Sequence, residues 1–133
     1  MEKIFIDTSA LYALLSTQDK NINLAVDTWD GAIKRGDTLV TNNYVLVECF
    51  ALIQSRLGIE FVRALQSNIV PFLQVEWIAE SEHTVSVNNV LVANRRQLSL
   101  VDCSCFESMR RLGIEKVFTF DEHFREQGFD IIP

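Results

Sequence analysis

The sequence predicts an α/β domain: a central, mainly parallel sheet with helices on both faces, an α/β/α sandwich. Two observations predict it. Short apolar runs rich in β-formers alternate along the chain with segments of helical periodicity. Several of those runs are apolar throughout, with no polar–apolar alternation, as strands covered on both faces must be.

The elements follow in order. Residues 3–6 (KIFI) form a short apolar strand candidate that stops at Asp7. Thr8 to Ser16 places Leu11, Leu14 and Leu15 at helical spacing, and Asn23 to Arg35 repeats the pattern with Leu24, Ala25, Thr28, Trp29, Ala32 and Ile33 before Gly36. A strand follows over Thr38 to Val40. Asn42 or Asn43 can cap a helix reaching about Leu57, with Gly58 after it. A helix over Glu60 to Ser67 precedes the break at Pro71, and Leu73 to Ile78 reads as a strand. Ser81 to Gln97 is a helix of weak periodicity. Leu100 to Leu112 is a helix closed by Gly113, Lys116 to Phe120 a strand, Asp121 to Gln127 a short helix closed by Gly128, and Phe129 to Ile132 a last strand.

The 133 residues fit one domain over 1–133, with no repeat, low-complexity tract or linker to divide them. The chain is 48% apolar, which suits one core; a domain of this size buries roughly two-thirds of the surface its unfolded chain exposes. Asp7 interrupts the apolar N-terminal stretch and no small-residue cleavage site follows, so no secretion signal is read. No run approaches the ~18 apolar residues of a membrane span. The expectation is a soluble, cytoplasmic protein with no membrane partner. Cys49, Cys103 and Cys105 make an odd set without a secretion signal, which argues against a disulfide framework. His83 and His123 stand at no zinc-ligand spacing from them, and Cys103 and Cys105 read as small residues opening a helix. The formal charge of −6 weighs mildly against nucleic acid as a partner, unless cations neutralise acidic residues locally. Arg95, Arg96, Arg110 and Arg111 would then either form a basic rim or remain ordinary solvated helix faces.

In parallel sheets, ligands bind at the carboxyl ends of strands near a switch in strand order. Asp7 and Asp121 each stand directly after a predicted strand. Each also has a structural explanation as a helix N-cap, as does Asp102 in Ser99–Ser104 (SLVDCS). Glu48 is the least expected residue, because Tyr44 to Ile53 is otherwise an apolar helical stretch. A carboxylate there must pair, bind a cation or reach solvent. Ser104 reads as a first-turn residue able to orient a carboxylate, Glu122 as a match to a helix dipole, and His123 as structural or solvated. Four carboxylates gathered together repel and their pKa values rise; hard divalent cations such as Mg²⁺ or Mn²⁺ remove that penalty and favour oxygen ligands.

At these residues the chain resembles the PIN-domain ribonucleases, and among them the VapC-type toxins of bacterial and archaeal toxin–antitoxin pairs. The likeness covers essentially the whole chain. It rests on residues 6–12 (IDTSALY), the lone Glu48 in an apolar helix, residues 98–104 (LSLVDCS), and residues 117–124 (VFTFDEHF) followed by Gly128 and Phe129. The resemblance implies a Rossmann-like fold and Mg²⁺- or Mn²⁺-dependent endonucleolytic cleavage of RNA. Asp7, Glu48, Asp102 and Asp121 would hold the cation directly or through water. Thr8 or Ser9, Ser104 and Thr119 would support them by hydrogen bonds. Water would attack phosphorus in line while a carboxylate takes its proton. It also implies a homodimer and an antitoxin protein that blocks the site with an inserted Arg or Lys. Cys103 and Cys105 depart from the small aliphatic residues more usual beside the third aspartate. A PIN-fold nuclease of RNA processing without an antitoxin, and a catalytically silent PIN-like binding module, are the alternatives.

Overall fold

The computed structural model describes residues 1–133. Five strands, β1 (Lys3–Ile6), β2 (Thr38–Asn42), β3 (Leu73–Glu76), β4 (Lys116–Phe118) and β5 (Asp130–Ile132), form one sheet of order β3-β2-β1-β4-β5. Every pairing is parallel. Seven helices carry the crossovers: α1 (Thr8–Leu15), α2 (Ile22–Arg35), α3 (Asn43–Arg56), α4 (Ile59–Ala64), α5 (Glu80–Ala93), α6 (Leu100–Leu112) and α7 (His123–Glu126). Ile4, Phe5 and Ile6 of β1 are all buried, as are Leu39 to Asn42 of β2 and Val117 and Phe118 of β4. A strand with no solvent face has helices on both sides, which explains the unbroken apolar runs.

The chain builds β1, β2 and β3 outward in one direction, then returns to place β4 and β5 on the other side of β1. The order therefore reverses between β1 and β4. Their register pairs Ile6 with Phe118, and the Asp7 amide donates to the Phe118 carbonyl at 3.1 Å. Asp7 and Thr119 thus leave the sheet side by side at the switch point.

The helix ends follow local chemistry. Asn42 caps α3 by accepting from the Val45 amide at 2.9 Å, and Gly36 and Gly113 end α2 and α6 in the left-handed conformation. Three expectations are corrected. The helix expected to run to Gln97 stops at Ala93, because Asn94 takes the left-handed cap position with φ 52°. The helix expected over Glu60 to Ser67 is α4 continued by a wider π turn, Leu65–Ile69, and a 3₁₀ turn, Val70–Phe72, that carries Pro71. β4 closes at Phe118, two residues early, because Thr119 and Phe120 turn into hydrogen bonds with α1. No helix is long and apolar enough to cross a membrane.

Candidate functional site

A cleft of ≈ 380 Å³ opens above the switch point, lined by Asp7, Thr8, Ser9 and Tyr12 from the β1–α1 segment, Asp19 and Asn21, Glu48, Leu52 and Arg56 from α3, Asp102, Phe120 and Asp121. The four carboxylates expected to converge all line it.

Asp7 is 5% exposed and occupies the N-cap position of α1 without making a side-chain cap bond. Its Oδ2 instead accepts from the Thr119 hydroxyl at 2.8 Å and the Ser9 hydroxyl at 3.0 Å. Ser9 and Thr119 lie 3.1 Å apart, Ser9 also accepts from the Phe120 amide at 3.0 Å, and Thr119 accepts from the Asp121 amide at 3.0 Å. This network ties the start of α1 to the segment after β4 and fixes Asp7 relative to Asp121. Burial pushes the Asp7 carboxyl up to about 6; the bonds from Thr119, Thr8 and Ser9 oppose the rise and the charge of Asp102 adds to it.

Asp102 is not an N-cap: Ser99 caps α6, and Asp102 stands three residues on, closing a reciprocal capping box. The Asp102 amide donates to Ser99 Oγ at 3.0 Å and Asp102 Oδ2 accepts from the Ser99 amide at 3.1 Å. Burial pushes its carboxyl above the ordinary range, against those Ser99 bonds, and Asp121 reinforces the rise. Asp121 Oδ1 accepts from the His123 amide at 2.9 Å, and the N-cap of α7 is Glu122. Glu48 makes no hydrogen bond or ion pair within the chain.

Other expectations fall differently. The Ser104 hydroxyl donates to the Val101 carbonyl at 2.7 Å and accepts from Asn42 Nδ2 at 3.2 Å, so it is engaged beneath the cleft and not by the carboxylates. Thr8 Oγ1 is buried at the cleft without a partner. Of the arginines considered for a basic rim, none lines the cleft. Arg95 pairs with Glu126, Arg111 with Glu76 and Glu107, and Arg110 bonds Gln127 beside the Phe106 and Phe129 rings.

The sequence alone marks His123 as structural or solvated. It joins Asp102 and Asp121 in a group whose possible ligand atoms lie within 4.8 Å of one another. Its Nδ1 is buried, 3.2 Å from Asp121 Oδ1 but not aligned for a hydrogen bond. Sequence reading also missed Tyr12, Asp19 and Arg56. One signal for Arg56 was present: Glu48, Leu52 and Arg56 are four residues apart on one stripe of α3.

The donor set fits a hard divalent cation. Asp7 is buried against hydroxyls with no cationic side chain paired to it, and Asp102, Asp121 and His123 cluster beside it with an orphaned nitrogen. Asp7, Asp102 and Asp121, with Glu48 lining the same cleft, would hold the ion directly or through water. When bound, it would supply neutralising charge and Lewis acidity.

Residues 4–130 match the PIN domain family. The chain is 28% identical over 127 residues, 95% of each protein, to the 23S rRNA-specific endonuclease VapC20 of Mycobacterium tuberculosis, in two strains. It is also similar to the crystal structure of that toxin, described as cleaving the sarcin–ricin loop. There the TM-score is 0.87 at 27% identity, covering 98% of this chain and 99% of that one. The structure of FitAcB from Neisseria gonorrhoeae shares the fold, with a TM-score of 0.69 at 14% identity over 98% of this chain and 96% of that one.

Proposed function

The chain belongs to the PIN-domain family, and from that premise we propose that it is a metal-dependent endoribonuclease, the toxin of a VapBC-type toxin–antitoxin pair, acting as one domain in the cytoplasm. The observation that carries this reading is the convergence of Asp7, Glu48, Asp102 and Asp121 on one cleft at the sheet's switch point. The mycobacterial relative is a 23S rRNA-specific endonuclease, so ribosomal RNA is the substrate class to try first. A homodimer and a cognate antitoxin are proposed on the same likeness.

Mg²⁺ or Mn²⁺ is the cation that suits this donor set. Thr119 and Ser9 hold the Asp7 carboxyl in place by their hydroxyls, and a bound cation would supply the charge that favours its ionised form. Asp102 and Asp121 each keep one oxygen in a backbone bond, and these two residues would help to hold the ion. Glu48, free of internal partners, takes the proton from the water that attacks phosphorus; the P–O bond opposite breaks in line, and the departing sugar oxygen takes a proton from solvent.

The test is cleavage of total cellular RNA by purified protein in Mn²⁺, in Mg²⁺ and in EDTA, beside Asp7→Asn. Discrete fragments are expected with metal and none in EDTA. Asp7→Asn should be slower by about 10²-fold or more, the scale on which one lost charge contact in a transition state is felt. No cleavage by folded, antitoxin-free protein would transfer the reading to a silent binding module.

A further inference from the structure

We propose that Arg56 is a phosphate-binding residue for the RNA strand, gripping a backbone phosphate displaced from the one being cleaved. This deepens the ribonuclease reading and rests on it. The chain carries a net charge of −6, and its cleft is walled by Asp7, Asp19, Glu48, Asp102 and Asp121. A polyanion entering that cleft needs a cation that is not already neutralised. Arg35, Arg63, Arg95, Arg111, Lys116 and Arg125 are all held by carboxylates of this chain. Arg56 is the Lys or Arg that lines the cleft, and it forms no ion pair despite the acidic residues around it.

An aromatic contact also orients it. The guanidinium stands over the face of Tyr12, 5.6 Å from the ring centroid. An aromatic face holds a guanidinium without using its N–H donors, so the fork stays free for phosphate oxygens. Arg56 lies eight residues beyond Glu48 on α3, about 12 Å along the helix axis at 1.5 Å per residue. With its backbone that far along α3 from Glu48, Arg56 suits a phosphate flanking the one being cleaved. A contact made equally in ground and transition states lowers KM and leaves kcat alone.

The experiment measures kcat and KM for RNA cleavage in Mn²⁺ with wild type, Arg56→Ala and Arg56→Lys, and the salt dependence of RNA binding in an Asp7→Asn background, which separates binding from turnover. Arg56→Ala is expected to raise KM about tenfold with kcat unchanged, the scale of one charge-assisted contact. It should also flatten the log–log salt slope by about 0.7, the value of one phosphate on a single strand. Arg56→Lys should fall between the two. Arg56 is exposed in the last turn of α3, so the fold should survive, which circular dichroism checks. If wild type cleaves and Arg56→Ala keeps its KM and salt slope, or loses kcat alone, the phosphate role is wrong and the nuclease stands. If wild type cleaves no RNA, the nuclease reading falls and this one with it.

Discussion

At the scale of single residues, Asp7 sets a cost that the fold carries. Its folded pKa of about 6 lies above the ordinary 3.8 of an aspartate, so the folded state binds the proton more tightly than the unfolded state. Stability from this group is complete below about pH 4 and is lost as pH rises through 6. Two pKa units correspond to about 3 kcal/mol, an upper bound for a buried group. In EDTA, denaturant unfolding should therefore show wild type losing stability between pH 4.5 and 7.5 relative to Asp7→Asn. The partner Asp102, whose carboxyl is also raised, contributes in the same direction to both proteins. Parallel curves for the two proteins would mean the Asp7 carboxylate is better solvated than its burial implies. Asp7 was legible in the sequence because a charged residue ending an apolar strand is conspicuous. Its support by Ser9 and Thr119 was legible only as a set of hydroxyls, since the bond between residues 112 apart in sequence depends on β1 pairing with β4. Arg56 was missed because an arginine ending a helix is fully explained by the helix dipole.

At the scale of elements, α3 is where site and core meet. Asn42 is fully buried; it caps α3 through Val45 and donates from Nδ2 to Ser104 at 3.2 Å and Ser108 at 3.1 Å on α6. One amide thus clamps the helix carrying Glu48 to the helix carrying Asp102. Asn42→Ala removes the cap and leaves the two hydroxyls without this donor, so equilibrium unfolding should show a loss of about 2–4 kcal/mol. Asn42→Asp keeps the cap acceptor but loses the amide donor and buries a carboxylate between the helices. It should be no more stable than the alanine variant; recovery to wild-type stability would show that only the cap matters. The sequence offered Asn42 or Asn43 as the cap, and its pattern carried no sign of the second job. Helices with strong periodicity and a glycine stop, α2 and α6, match the structure closely at both ends. Those without either, α4 and α5, end where a π turn or a left-handed asparagine intervenes, because these depend on packing and on a residue that tolerates φ > 0 at a cost.

At the scale of the whole molecule, the parallel sheet was legible from its apolar strands, but the order β3-β2-β1-β4-β5 was not, because which strands pair is decided by contacts distant in sequence. That order is what brings residues 7, 48, 102 and 121 to one cleft, and it concentrates acidic charge in a chain already at −6. The folded state is therefore strained by its own site until a cation enters, and cation binding should appear as stability. A ligand at a hundred times its Kd adds about 2.7 kcal/mol. For a chain of this length that is a Tm increase of about 10 °C. Mn²⁺ or Mg²⁺ should raise the melting temperature of wild type on this scale in calorimetry, while Asp7→Asn and Asp121→Asn should show a smaller rise, each lacking one charge of the set. The comparison separates site binding from general screening of surface carboxylates, because Na⁺ at matched ionic strength screens the surface without filling the cleft. Equal shifts from Na⁺ and Mn²⁺, or an unchanged Mn²⁺ shift in both variants, would place the cation elsewhere and remove the electrostatic reason for gathering these four carboxylates.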